Sequence, residues 1–324
     1  MVCPGNFVLK QLAVLIRMIP FRSIIYLSKL LGSIAYLFDF KHRKLSLMNL
    51  DIAFPRMAKK KKKEISRKHF INLFRTALEF FSLGKVKREN YKNFITHKGL
   101  DNFANAQEKG KGIILLAAHF GNWELMAYVH PFNFAPASYL ARKFKDKNVD
   151  EFINKIRFSN GNKFIDKRNA LFKVLKELKK GNAIGVLMDQ SVHPNEAVYV
   201  DFFGKFISTT PFIAQVALKT GCAVVPVFDF PQKDGKHIVE YFPQIEMEKP
   251  ETDVDPVIYN TEKLNKFLEK IILKGTEYWL WSHNRWKNIS EERCWGRVKK
   301  KEDMLEKYDN MEFVEDEANQ VKGG

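Results

Sequence analysis

The chain has 324 residues, 45% of them hydrophobic, and a formal net charge of +17. So much apolar material supports a large folded core and excludes a wholly disordered chain, while the charge calls for a polyanionic partner, nucleic acid or an anionic membrane surface. Three widely spaced cysteines, Cys3, Cys222 and Cys294, exclude a disulfide framework and a thiolate metal site.

The stretch from Phe7 to Phe40 is rich in Leu, Ile, Tyr and Phe yet carries Lys10, Arg17, Arg22 and Lys29. A spanning helix needs about 20 apolar residues with few charges. The cleanest piece, Ser23 to Phe38, is shorter and holds Lys29, so a helix lying in the membrane interface fits better than a span. The scattered charges and the absence of a small-residue cleavage site argue against a cleavable signal peptide. Five consecutive lysines, Lys59 to Lys63, read as a basic turn entering an apolar-periodic helix over Ile65 to Leu83.

From Gly112 onward short apolar runs alternate with helical periodicity, the pattern of an α/β domain around a central sheet. Strands are expected over Ile113 to Ala118, Ala137 to Ala141, Lys163 to Asp166, Ala183 to Met188, Ala223 to Phe230 and Ile238 to Pro243. Helices are expected over Asn148 to Asn160, Asn169 to Lys180, Pro211 to Lys219 and Pro256 to Trp279, and Gly181 and Gly221 close two of them in the left-handed conformation. The polar segment from Lys299 to Gly324 reads as a partly disordered tail. The expected division is an N-terminal membrane-anchoring segment over residues 1–50, the main α/β domain over 51–298 and the tail over 299–324.

Ile113 to Glu124 reads IILLAAHFGNWE: an apolar strand runs into His119, then a glycine, then a helix start. Such a junction presents side chains at a sheet edge. A histidine titrates near neutrality and can take a proton from an attacking hydroxyl. The turn at Gly121 and Asn122 can fold Glu124 back against the imidazole, where it would orient the ring and stabilise its charged form. Taken alone, a histidine and an acid at this spacing also suit a histidine merely hydrogen-bonded at a strand end. Arg142, Arg157 and Arg168 are candidates for binding phosphate or carboxylate, because a guanidinium forks onto two oxygens. Asp189, at the end of an apolar strand, is suited to holding an arginine or a helix start. His130 is expected in a loop, His283 is expected to pack rather than ionise, and two of Trp279, Trp281 and Trp286 are expected in the core. No cluster has zinc-ligand spacing, so no metal is expected.

HFGNWE resembles the His-x4-Asp/Glu motif of the lysophospholipid acyltransferase superfamily, in the form used by the bacterial lipid A late acyltransferases. Further segments agree in order. Lys163-Phe164-Ile165-Asp166-Lys167-Arg168 is similar to the second motif, whose arginine binds the acceptor's anionic group. Leu187-Met188-Asp189-Gln190 stands where the third is expected, Phe202-Phe203-Gly204, Thr209-Thr210-Pro211 and Val225-Pro226 follow, and Trp279 to Lys287 resembles the closing Trp-x-x-x-His-x-Arg-Trp-Lys signature. Pro211 departs from a position often held by glycine.

The resemblance implies a glycerol-3-phosphate acyltransferase-like α/β fold, a mixed sheet flanked by helices with an N-terminal membrane-associated helical segment. It implies an O-acyltransferase at the cytoplasmic face of the bacterial inner membrane. The enzyme would move an acyl chain from acyl carrier protein, or acyl-CoA, to a hydroxyl of a lipid A precursor, with no bound cofactor. His119 and Glu124 would be catalytic, and Arg142, Arg157, Arg168, Asp189, Asn122 and Gly121 would bind substrate. No Gly-x-Ser-x-Gly elbow supplies a serine nucleophile, so the acceptor hydroxyl would attack the thioester directly, with backbone N–H groups near Gly121 or an arginine receiving the oxyanion. Acceptors still open at this stage are a glycerolipid, an ornithine lipid and a phosphoinositide mannoside. A non-catalytic lipid-binding relative is disfavoured by the intact His119 and Glu124, and nucleic acid by the absence of any common binding module.

Overall fold

The computed structural model describes residue 11 and residues 13–296 apart from 169 and 252. Cys3 and the tail expected over 299–324 lie outside the described residues.

A seven-stranded sheet forms the centre. Its strands are β1 (Ile95–Lys98), β2 (Ile113–Ala117), β3 (Ser138–Ala141), β4 (Lys163–Asp166), β5 (Ala183–Leu187), β8 (Ala223–Pro231) and β9 (His237–Tyr241), in the spatial order β1-β9-β8-β2-β5-β3-β4. All neighbouring pairs are parallel except β8 with β9, so the sheet is mixed, as expected. Strand β2 is buried at all five positions because both faces are covered, which is why its sequence is a continuous apolar run without alternation. On one face Ile113, Leu115 and Ala117 meet α4 (Leu100–Glu108) and α5 (Trp123–Val129) through Phe103, Leu125 and Val129. On the other, Ile114 and Leu116 meet α7 (Ala170–Lys179), α8 (Phe212–Thr220) and α9 (Pro256–Lys274) through Val174, Leu178, Val216 and Leu264. Gly181 and Gly221 have the left-handed conformation expected of them.

A second, antiparallel sheet has the order β10-β7-β6-β11, with β6 at Val198–Phe202, β7 at Lys205–Thr209, β10 at Ile289–Ser290 and β11 at Cys294–Trp295. Phe203 and Gly204, with φ of 51° and 75°, form the two-residue turn between β6 and β7.

The N-terminal part is a layer of three helices, α1 (Phe21–Phe38), α2 (Phe40–Ala53) and α3 (Lys59–Ser82). Helix α1 packs along α3 with Ile24, Ser28 and Gly32 buried, while Phe21 at its start is buried against Phe94 and His237. The axes approach so closely that a Cβ on Gly32 would stand 2.5 Å from the Ile71 Cα. The opposite face leaves Tyr26, Leu30, Ile34, Leu37 and Phe38 exposed. Lys59 to Lys63, expected as a turn before the helix, form the first turn of α3 itself. The charge there is partly balanced, because Lys62 donates to Asp51 at 2.7 Å and Lys61 and Lys68 both bond Glu64.

Three local expectations are corrected. Helix α9 stops at Lys274, before Gly275, and a 3-10 turn over Thr276–Tyr278 carries the chain onward instead. Trp279, Trp281 and Trp286 are all buried, not two of the three. His130 lies in a 3-10 turn and is buried against the Tyr241 hydroxyl at 2.9 Å; burial pushes it down to about 3 and keeps it neutral.

Candidate active site

Strands β2, β5, β3 and β4 are adjacent and parallel, so their carboxyl ends share one edge of the sheet. Just past those ends stand His119 after β2, Asp189 after β5, Arg142 after β3 and Lys167 after β4. Open parallel sheets place their ligand crevices along this edge.

The centre of the group is His119. Its Nδ1 lies 2.8 Å from Asp189 Oδ1, and its backbone N–H donates to Asp189 Oδ2 at 2.9 Å. Trp279 Nε1 donates to the same Oδ2 at 2.9 Å. A buried carboxylate with these donors can only accept, so Nδ1 carries its proton and Nε2 is left with its lone pair. Among the described residues Nε2 has no hydrogen-bond partner. Burial opposes a charge on His119, but Asp189, with a smaller contribution from Glu124, outweighs it and raises the imidazole above its usual value. Burial likewise opposes the Asp189 charge, yet the imidazole and the donors bring that carboxyl down to about 2.

This corrects the orienting role expected of Glu124, and the arginine or helix start expected of Asp189. Glu124 occupies the first turn of α5, whose opening it shares with the capping residue Asn122. Its two oxygens accept from Arg157 Nε at 2.8 Å and Nη2 at 2.5 Å, a bidentate pair that is itself mostly buried. Arg157 ends α6 (Lys147–Arg157), so Glu124 and Arg157 form a fixed ion pair beside the imidazole.

Gly121 and Asn122 are likewise not placed to touch a substrate. The Gly121 N–H donates to the Tyr278 carbonyl at 3.0 Å, and its own carbonyl accepts from Thr76 Oγ1 at 3.1 Å. The Asn122 N–H donates to Asp229 Oδ2 at 2.7 Å, its Nδ2 to Glu79 Oε2 at 2.7 Å, and its Oδ1 caps α5 by accepting from the Leu125 N–H. These N–H groups are therefore spent on holding the turn, and an oxyanion must find its donors elsewhere.

The two carboxylates that hold Asn122 belong to a buried quartet. Glu79 Oε1 accepts from Arg75 Nε at 2.7 Å and lies 3.2 Å from His237 Nε2, while His237 Nδ1 is 3.0 Å from Asp229. Burial opposes a charge on His237, but Asp229 and Glu79 overcome it and push the ring up to about 9. Arg75 Nη2 also sits 2.8 Å from His237 Nε2, a bonding contact only for the neutral ring. The protonated ring is favoured because it balances two carboxylates against two cations in a buried site. Since folding raises this pKa, the stabilisation is complete below about 6.5 and is lost as pH rises through about 9. Thermal unfolding should therefore show Tm falling across that window in the native protein and staying flat in His237→Gln; an equal fall in both would reject the assignment.

The cationic candidates separate by position. Arg168 has a side chain 80% exposed and only a loose contact, 3.9 Å, with Asp166. Lys167, not singled out from the sequence, lies near enough to influence His119 and be influenced by Asp189. It reaches solvent yet is walled by protein; that surround and the nearby charge of Arg142 push its ammonium below the usual lysine value. Among the described residues no carboxylate pairs with it. His283 is held below its usual value by burial and its Nε2 has no partner, while Arg285 is wholly buried on the Ser208 carbonyl and the Thr209 hydroxyl.

The sequence did contain a signal for the quartet. Asn72, Arg75, Thr76 and Glu79 recur at helical spacing within an otherwise apolar stretch, and Asp229 is a lone carboxylate inside the run AVVPVFDFP.

The profile of the bacterial lipid A biosynthesis acyltransferase family matches residues 5–288. The lipid A biosynthesis lauroyltransferase of Escherichia coli (strain K12) is 25% identical over 284 residues, which are 86% of this chain and 89% of that protein. The lipid A biosynthesis palmitoleoyltransferase of the same organism is 23% identical, over 83% of this chain and 86% of its own. Among solved structures, the 1-acyl-sn-glycerophosphate acyltransferase PlsC from Thermotoga maritima covers 77% of this chain and 96% of its own at 16% identity, with a TM-score of 0.35, a superposition too loose to bear on the site. With the profile running through the strand end at His119, the Asp189 segment and the closing tryptophans, this chain belongs to the bacterial lipid A biosynthesis acyltransferase family.

Proposed function

We propose that this acyltransferase moves a fatty acyl chain from acyl carrier protein to a hydroxyl of a lipid A precursor at the membrane surface, with His119 as general base. One observation carries the reading: an imidazole whose Nδ1–H is fixed by a buried carboxylate and whose Nε2 is unpartnered at the sheet edge. Nε2 takes the proton of the acceptor hydroxyl as its oxygen attacks the thioester carbonyl. The tetrahedral intermediate collapses, the carbon–sulfur bond breaks, and the imidazolium returns the proton to the departing thiolate. A thioester is already activated, so alignment of the two substrates is most of what the protein must supply.

Lys167, with Arg142 beside it, is the group left to meet negative charge, on an acceptor phosphate or on the oxyanion. Lys167→Ala should raise KM for a phosphorylated acceptor about tenfold or lower kcat about 100-fold, a loss of on the order of 1.4 to 3 kcal/mol, whereas Arg168→Ala should change neither by more than twofold. A larger effect of Arg168→Ala than of Lys167→Ala in steady-state kinetics would return the role to Arg168.

Charge supports acyl carrier protein as the donor. Lys143, Lys145 and Lys147 are exposed after β3 and at the start of α6, close along the chain to Arg142, and a protein of net charge +17 suits an acidic carrier. Acyl carrier protein should outperform acyl-CoA in kcat/KM by at least tenfold, with an advantage that shrinks as salt rises; a preference for acyl-CoA would overturn this part.

Helix α1 is the one helix among the described residues long and apolar enough to cross a bilayer. At about 1.5 Å per residue its 18 residues reach about 27 Å, but one face is bound to α3, which carries Arg67, Arg75 and Glu79 along the stretch between the contacts Ser33–Arg67 and Arg17–Phe81. Crossing would draw those charges toward the hydrocarbon, so α1 lies in the interface on Tyr26, Leu30, Ile34 and Leu37. Leu30→Glu with Ile34→Glu should release the protein from anionic vesicles in flotation without lowering its Tm; undiminished binding would contradict this placement.

A further inference from the structure

We propose that Thr76 and Glu79 of α3, with Asp229 and His237 of the β8–β9 hairpin, form a buried clamp whose role is to position the turn between His119 and Glu124. They are positioning residues: none reaches the sheet edge where Nε2 stands, and all act through Gly121 and Asn122.

The turn is gripped from two elements remote in the chain. From α3, Thr76 Oγ1 donates to the Gly121 carbonyl at 3.1 Å and Glu79 Oε2 accepts from Asn122 Nδ2 at 2.7 Å. From β8, Asp229 Oδ2 accepts the Asn122 N–H at 2.7 Å. The remaining polar atom of the Asn122 side chain caps α5, the helix whose first turn aims Glu124 at Arg157. The two gripping carboxylates are tied to each other through His237, and Glu79 is tied through Arg75 to the hairpin carbonyls of Gln232 and Gly235. Displacement of Asn122 would therefore break bonds to α3, β8 and α5 together.

Buried ion clusters are poor sources of stability, because removing the charges from water offsets most of their attraction. What such a cluster provides is a single permitted geometry. Its bonds here converge on the two residues that link a proposed base to its neighbouring ion pair, and misplacement of a reacting group by about 1 Å can cost about 10²-fold in rate.

The kinetic arm of the test rests on the acyl-transfer reading; amide hydrogen exchange does not. In Glu79→Ala, exchange at Asn122 and Leu125 should rise at least tenfold while β2 and β5 stay protected. Turnover should fall about 100-fold, with KM for donor and acceptor within twofold. Glu79→Gln keeps an oxygen for Asn122 Nδ2 but turns an amide NH₂ toward Arg75 Nε and His237, so it should recover only part of the protection at Asn122. Thr76→Val preserves volume and removes one neutral hydrogen bond, so it folds even if Glu79→Ala does not, and should show a smaller change in the same amides. The clamp is overturned if the turn's exchange is unchanged in the folded variants, or if exchange rises across the whole sheet. Wild-type protein that transfers no acyl chain but shows localised exchange in the variants would leave the clamp standing and remove the acyl-transfer reading.

Discussion

Replacing His119 by alanine should lower kcat by about 10²- to 10⁴-fold, and Asp189→Asn should fall in the same range with the sheet intact. Asp189 accepts from the His119 backbone, from Nδ1 and from Trp279 Nε1. Asparagine has one acceptor oxygen. If that oxygen stays on the His119 N–H and Trp279, an amide NH₂ faces Nδ1 and moves the ring proton to Nε2, where it blocks base catalysis. The pH profile adds a second signature. Because folding raises the His119 pKa, the basic form accumulates only above the usual histidine value, and kcat/KM should rise with pH through an inflexion higher than 6.5. Without the Asp189 charge the inflexion should move down. Glu124→Ala should also remove most transfer, because it leaves Arg157 as an unpaired, largely buried charge beside the base. Near-normal turnover in His119→Ala, or an unshifted inflexion in Asp189→Asn, would exclude the mechanism.

Gly121→Ala should be among the most destabilising single substitutions in the chain. Gly121 has a φ of +60°, and a Cβ there would stand 2.1 Å from the Asp229 carbonyl oxygen and 2.8 Å from its Oδ2. The left-handed conformation alone costs about 1 to 2 kcal/mol for an L-residue. The clash adds more, because the obstacle is the backbone of a central strand and cannot swing aside. A total above about 4 kcal/mol corresponds to a Tm drop on the order of 10 °C for a domain this large. Gly110 provides the control, with a similar φ of +67° and open space where its Cβ would go. Gly110→Ala should lose only the conformational part. Equal Tm changes in the two variants would show that β8 yields and that the turn is not held where the structure has it.

Much of the sheet was legible because its central strands β2, β5 and β8 are buried on both faces and appear as short, unbroken apolar runs with glycine at the helix ends. The hairpin of β6 and β7 was not, because its turn places Phe203 at positive φ where Asn-Gly would have been the signal. Strand β1, with the sequence ITHK, is too short and too polar to stand out. His119 was legible as a candidate from the strand-to-helix junction, but its partner was misassigned by proximity in sequence. Ala117 pairs with Leu187 in the parallel register, and two residues further on in each strand come His119 and Asp189. Which strands are neighbours is set by packing across the whole domain, so no local pattern could join those two residues. The same reasoning separates Lys167 from Arg168, since only register, which sets Lys167 near His119, Asp189 and Arg142, distinguishes adjacent cations at the end of β4.

The most direct test of the account is mass spectrometry of the lipid product when membranes holding the protein, or its His119→Ala variant, are incubated with acyl carrier protein loaded with labelled fatty acid and a phosphorylated lipid A precursor. The account predicts one added ester-linked acyl chain on the glycolipid with the native protein and at least a 100-fold loss with the variant. An unmodified glycolipid with active native membranes, or equal product from the two proteins, would contradict it.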